Sequence, residues 1–328
     1  MAAEVRSLVA TFEPSAERGC ALDRRMRERL GETLEYVFQE VGLHLRMTAP
    51  AARAVVEQIL SMPQSPHTFG AYYDLVFALE RDDVELARTL AKELSLRAPA
   101  DSLAILPIDE LPARQQDRYR RLLMSGMDYA MAPGAELMQA YRKQLSEGMS
   151  LLEVGFPEMA AEVRGLLREI VVAAGPEDPK AITFDGASSY MMWGAILLNA
   201  RGQKSVLDSA QALAHESGHN LLFGFSASGP LVENADDELF SSPLRADPRP
   251  MDGVFHATYV VARMHQTLSR LLGSGALDEE QTSSARADLA THRRNFEIGD
   301  RVVRDGAKLT EVGASAIEAA RQYMLSVA

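Results

Sequence analysis

The sequence predicts a mainly α fold with a small β-sheet next to an HExxH metal-binding helix, and three observations predict it. Apolar residues recur at helical spacing from about residue 22 to residue 175 and again after residue 250. Two short β-type runs lie between these stretches, just after the turn-rich string Gly175-Pro176-Glu177-Asp178-Pro179. Downstream comes Leu213-Ala214-His215-Glu216-Ser217-Gly218-His219-Asn220-Leu221, whose two histidines, four positions apart, project from one face of a helix and can grip one divalent ion.

In chain order, Leu30, Leu34, Val37, Phe38 and Val41 form a first helical stripe, followed by Tyr72, Leu75, Val76 and Leu79, and then Val84, Leu86, Ala87 and Leu90. Met62-Pro63-Gln64-Ser65-Pro66 and Ala98-Pro99 read as connections. Pro157 suits the first turn of a helix running through Met159, Val163, Leu166, Leu167 and Ile170. The β-type runs are Ala181-Ile182-Thr183-Phe184 and Gly194-Ala195-Ile196-Leu197-Leu198-Asn199, and they are expected to pair.

The motif helix starts at Ser205, a capping residue with Asp208 three positions on to reach back. Val206, Leu207, Ala210, Leu213, Ala214, Leu221 and Leu222 give it an apolar stripe, and Gly224 offers a stop. Helices are expected again over Val254–Leu272, about Thr282–Val303, and Leu309–Leu325. This organisation suggests a helical scaffold and substrate-recognition region over 1–175 and a catalytic region over 176–328, or one continuous domain.

With 47% hydrophobic and 24% charged residues, the 328-residue chain has the composition of a folded soluble protein. A net charge of -12 opposes binding to a phosphate backbone, so nucleic acid is not an expected partner. The single cysteine, Cys20, excludes an internal disulfide and a cysteine-rich zinc site. No run approaches the roughly 20 apolar residues of a membrane span, and Met1-Ala2-Ala3-Glu4-Val5-Arg6 lacks the apolar segment of a signal peptide. The expectation is a cytoplasmic protein without a membrane partner.

Two histidines need at least one further ligand. One large metalloprotease class places a histidine six residues after the motif, where this chain has Phe225. Another uses a downstream glutamate, for which Glu233 and Glu238 are available, although both sit in an acidic run that reads as a solvated loop. His256 is the stronger candidate. It follows the rigid approach Ser242-Pro243-Leu244-Arg245-Ala246-Asp247-Pro248-Arg249-Pro250-Met251-Asp252-Gly253 and opens a helix. Arg263, seven residues on, shares its face, whereas His265, nine residues on, points away and reads as structural. His44, His67 and His292 have no partners in the sequence and are read the same way. Arg245 and Arg249 stand before the helix, and guanidinium groups near a metal suggest a carboxylate ligand, since the fork accepts both oxygens.

The combination of His215-Glu216-Ser217-Gly218-His219 with the string Pro243-Leu244-Arg245-Ala246-Asp247-Pro248-Arg249-Pro250 and His256 resembles the HExxH-type peptide β-hydroxylases. Those enzymes use iron and 2-oxoglutarate and accompany ribosomally made, post-translationally modified peptides. The resemblance covers about residues 180 to 270. It implies Fe(II) held by His215, His219 and His256, with O2 and a chelating 2-oxoglutarate as co-substrates. It also implies an arginine for the distal carboxylate, Arg249 or Arg245 first and Arg263 in reserve, and a precursor peptide hydroxylated at a side-chain β-carbon. In such an enzyme Glu216 orients a ligand, binds substrate or coordinates iron.

Two other readings stand beside it. In a zinc metallopeptidase, Glu216 is the general base and Glu238, Glu233 or His256 completes the site. In a helical partner-binding module the histidines hold a structural metal or none, although structural zinc sites usually close with cysteines and none lies near the motif.

Overall fold

The computed structural model describes residues 7–96, 100, 102–122, 130–178, 183–244 and 247–327. It is mainly helical, with one four-stranded sheet and a two-stranded pair, as the sequence predicts for the fold class. The chain divides into two compact units. One comprises Cys20–Met138 and Leu166–Gly202, the other Met1–Gly19, Gln139–Gly165 and Gln203–Ala328. This differs from a division near residue 175. Composition changes there, but compactness follows which apolar faces pack together, and each unit is assembled from separated segments.

The first unit holds most of α1 (Ala16–Val41), then α2 (Ala49–Ser61), α3 (Pro66–Glu80), α4 (Val84–Leu94), β1 (Ala104–Pro107) and α5 (Ala113–Leu122). Thr48, Ser65 and Asp83 cap α2, α3 and α4 by accepting from backbone N–H groups of the first turn, and Pro66 opens α3. After two helices of the other unit, α6 (Ala135–Gly155) and α7 (Pro157–Leu166), come β2 (Glu169–Ala173), β3 (Gly186–Ser188) and β4 (Ala195–Asn199). The sheet order is β1-β2-β4-β3, with β1, β2 and β4 parallel and β3 antiparallel to β4.

Every residue of β2 and β4 is buried, as expected of central strands covered on both faces. This placement corrects two readings of the sequence. The helix opened by Pro157 ends at Leu166 instead of reaching Ile170, and the apolar run Ile170-Val171-Val172 is a strand. A short run of buried apolar residues has no period by which to tell strand from helix; the β-branched side chains, stiff at χ1, decide it. β1 lies inside the same stretch that reads as helical. Of the first β-type run, Ala181 and Ile182 lie outside the described residues, and Thr183 and Phe184 precede the strand that pairs with β4. Asn199 ties this edge together, donating to the Phe184 carbonyl at 2.7 Å and accepting from the Gly175 N–H at 2.9 Å.

The second unit carries α6 and α7, then α8 (Val206–Phe225), β5 (Leu239–Phe240), β6 (Arg249–Pro250), α9 (Met251–Ser274), α10 (Glu279–Gly306) and α11 (Glu311–Ser326). α9 is its axis. It packs on α8, α10 and α11 and buries Val254, Phe255, Tyr259, Val260, Val261, Leu268 and Leu271. Gly275, at φ 73°, takes the left-handed turn that ends it. Asp278 and Gln281 form a reciprocal capping box at the start of α10. Among the described residues no helix is long and apolar enough to cross a membrane.

Candidate metal centre

The motif helix α8 is capped as its sequence indicates. The Ser205 side chain accepts from the Asp208 N–H at 3.0 Å, and the Asp208 carboxylate reaches back to the Lys204 N–H, also at 3.0 Å. The helix runs one residue past Gly224, to Phe225, and is buried along most of its length. It lies close against α9 at Gly218, between the two motif histidines. A Cβ there would lie 3.0 Å from Val260 Cγ1 and 3.3 Å from Arg263 Cδ, so glycine is what lets the helices come this near.

That approach brings His256, in the second turn of α9, against His219. Their Nδ1 atoms are 3.0 Å apart, with the rings 15° from parallel. On the other side, His219 Nε2 lies 3.1 Å from His215 Nε2. Two nitrogens each about 2.1 Å from one ion, at a right angle, are separated by about 3.0 Å, so the His215–His219 pair has the spacing of neighbouring metal ligands. Phe223 packs against the His256 ring at 5.2 Å.

The three imidazoles form a chain with His219 in the middle, using one nitrogen for each neighbour. Among the described residues, no three His, Cys, Asp or Glu groups surround a single point in this arrangement.

Burial lowers the pKa of His219 to about 3, with a smaller contribution from His256, and burial lowers that of His256 to about 4. Both rings are therefore neutral at physiological pH, the form in which imidazole binds a metal. Glu216 is 5% exposed, and its Oε1 stands 3.9 Å from His215 Nε2, which puts a carboxylate at the edge of the cluster.

The three arginines of the sequence reading have different fates. Arg245 lies outside the described residues. Arg249, on β6 immediately before α9, is half-exposed and pairs with Asp247 at 2.8 Å. Arg263 is wholly buried on α9, its stem against Gly218 and its Nη2 2.7 Å from Glu162 Oε1. Its Nε and Nη1 have no hydrogen-bond partner among the described residues.

Glu162, at 0% exposure, also accepts from Arg18 Nε at 2.6 Å and from the Ser15 N–H at 3.0 Å. Burial alone would push its carboxyl pKa up, but Arg18 and Arg263 outweigh this and hold it below the usual range. Two guanidinium groups thus share one carboxylate behind the motif helix. Sequence reasoning missed Arg18 and Glu162: they come from segments far from the motif, and neither sits in a local pattern.

The remaining histidines are engaged elsewhere. His265 Nδ1 meets the Tyr323 hydroxyl at 2.8 Å, and His292 Nε2 meets Gln211 Oε1 at 2.7 Å. His67 lies in the other unit, 3.2 Å from Glu169, as does His44, which is exposed. Glu238 is held by Asn234 at 2.9 Å and Lys308 at 3.1 Å, and Glu233 is exposed. No protein-family model and no curated protein matches this chain.

Proposed function

We propose that this chain is an Fe(II)- and 2-oxoglutarate-dependent dioxygenase that hydroxylates a side-chain β-carbon of a ribosomally synthesised precursor peptide in the cytoplasm, as a member of the HExxH-type peptide β-hydroxylases. The observation that carries the proposal is the meeting of three imidazoles, two of them held neutral by burial, from α8 and α9. His215, His219 and His256 would hold the iron. When bound, iron and 2-oxoglutarate supply the oxidising power, through decarboxylation with O2, that replaces a C–H bond by C–OH.

The protein's own share is placement. Arg249 is a first candidate to meet the distal carboxylate of an incoming 2-oxoglutarate, and its half-exposed side chain, paired with the surface residue Asp247, supports that reading. Arg245, four residues earlier, shares that candidacy, and Arg263 stands in reserve because Glu162 already occupies it. The Glu216 carboxylate beside His215 is suited to orienting a ligand or the peptide.

A zinc peptidase with Glu216 as general base shares the motif. Of its candidate third ligands, Glu238 is engaged with Lys308 and Asn234, while His256 would serve either reading. Incubation with Fe(II), 2-oxoglutarate, O2 and a candidate precursor peptide should add one oxygen atom to the peptide and release one succinate per hydroxylation. Turnover that persists without 2-oxoglutarate, or zinc-dependent peptide cleavage abolished by Glu216→Gln, would overturn the proposal.

A further inference from the structure

We infer that Asp252 is a positioning residue that holds His256 as an Nδ1 donor toward the histidine cluster. The inference rests on the reading of His215, His219 and His256 as metal ligands. Asp252 and His256 are one helical turn apart on α9, on the same face. The two ring nitrogens of His256 have separate destinations: Nδ1 faces His219 at 3.0 Å, and Nε2 faces Asp252 Oδ1 at 3.9 Å.

A histidine that ligates through one nitrogen almost always gives the N–H of the other to a carboxylate, a carbonyl or water, which fixes the ring's orientation and raises its basicity. A neutral imidazole has a single N–H. With that proton on Nε2 toward Asp252, Nδ1 of His256 carries a lone pair. In the metal-free protein that lone pair accepts from His219 Nδ1–H, leaving His219 Nε2 unprotonated toward His215. A carboxylate brought from 3.9 Å into hydrogen-bond range of Nε2 would thereby set the proton positions along the whole chain of rings. The Asp252 side chain is 59% exposed, so no packing role competes with this one. As an acidic residue in the first turn it also complements the dipole of α9, and that role bears on stability alone.

The test compares the wild-type protein with Asp252→Ala and Asp252→Glu. Co(II) titration, followed by its ligand-field absorption, should show about 10- to 100-fold weaker binding for Asp252→Ala and recovery of most of the affinity for Asp252→Glu. Selective 15N-histidine labelling of the metal-free protein should show a protonated Nε2 on His256 that exchanges faster with solvent in Asp252→Ala. Unchanged Co(II) affinity in Asp252→Ala, or a wild-type His256 protonated on Nδ1, overturns the inference and leaves the metal reading standing. A wild-type protein that takes up no Co(II) overturns both.

Discussion

Replacing Glu162 by Gln removes the carboxylate shared by two buried guanidinium groups, those of Arg18 and Arg263. The side chain accepts at 2.6 Å from Arg18, 2.7 Å from Arg263 and 3.0 Å from the Ser15 N–H, and it has no solvent exposure. A glutamine keeps one acceptor oxygen but turns an NH2 toward a guanidinium, leaving two charges buried without a counter-charge. Breaking a buried pair in this way costs about 4 kcal/mol. With an unfolding entropy of about 2.1 cal/mol/K per residue, a chain of 328 residues unfolding as one would lose about 6 °C in Tm.

The acid limb offers a second readout. Because the Glu162 carboxyl pKa is held below its usual range, its contribution is complete above that range and is lost as pH falls through the lowered value. The variant should lack that part of the acid-induced loss of stability. Replacing the triad together, as Arg18→Met, Glu162→Leu and Arg263→Met, should restore most of the lost stability, since a buried triad can be exchanged for apolar packing at little cost. Calorimetry and denaturant titration measure each case. A Glu162→Gln protein with wild-type Tm would show that the triad does not hold Arg263 against α8.

Gly218→Ala forces Val260 and Arg263 back from contacts of 3.0 and 3.3 Å, and should cost about 1–3 kcal/mol while weakening Co(II) binding, because the same contact sets the His219–His256 spacing. His219→Ala should abolish Co(II) uptake, whereas His265→Phe, which removes the hydrogen bond with Tyr323 away from the cluster, should leave it intact. Because burial lowers the pKa of His219 to about 3 and of His256 to about 4 from an ordinary 6.5, the unfolded chain binds protons that the folded one refuses. Stability of the metal-free protein should therefore fall as pH drops from 6.5 toward 4, and a His219→Phe, His256→Phe double variant, followed by denaturant titration, should show a flatter profile over that window.

The helical half of the fold was legible because its signals are local. The Ser205 cap of α8 and Pro157 at the first turn of α7 each lie within four residues of what they control. Among the strands that escaped, β1 and β2 are short and apolar, and only parallel pairing across distant sequence, β1 with β2 and β2 with β4, identifies them. The site shows the same division. His215 and His219 follow from helical spacing, and the His256 contact bears on the expectation drawn from its proline-rich approach. Arg18 and Glu162 could not be found, since what selects them is a buried charge on Arg263 that becomes visible only when α1, α7 and α9 are packed together. The placement of Asp252 shows only once the His256 ring has a direction.

The most direct measurement is an anaerobic titration of the Fe(II)-loaded protein with 2-oxoglutarate, followed by visible absorption. Chelation of iron by the 2-oxo acid should produce a charge-transfer band that saturates at one equivalent, is missing in His219→Ala, and needs a higher 2-oxoglutarate concentration in Arg249→Ala. An iron-loaded protein whose spectrum does not respond to 2-oxoglutarate, and whose activity follows zinc and Glu216 instead, would contradict the assignment of this site to oxygen chemistry.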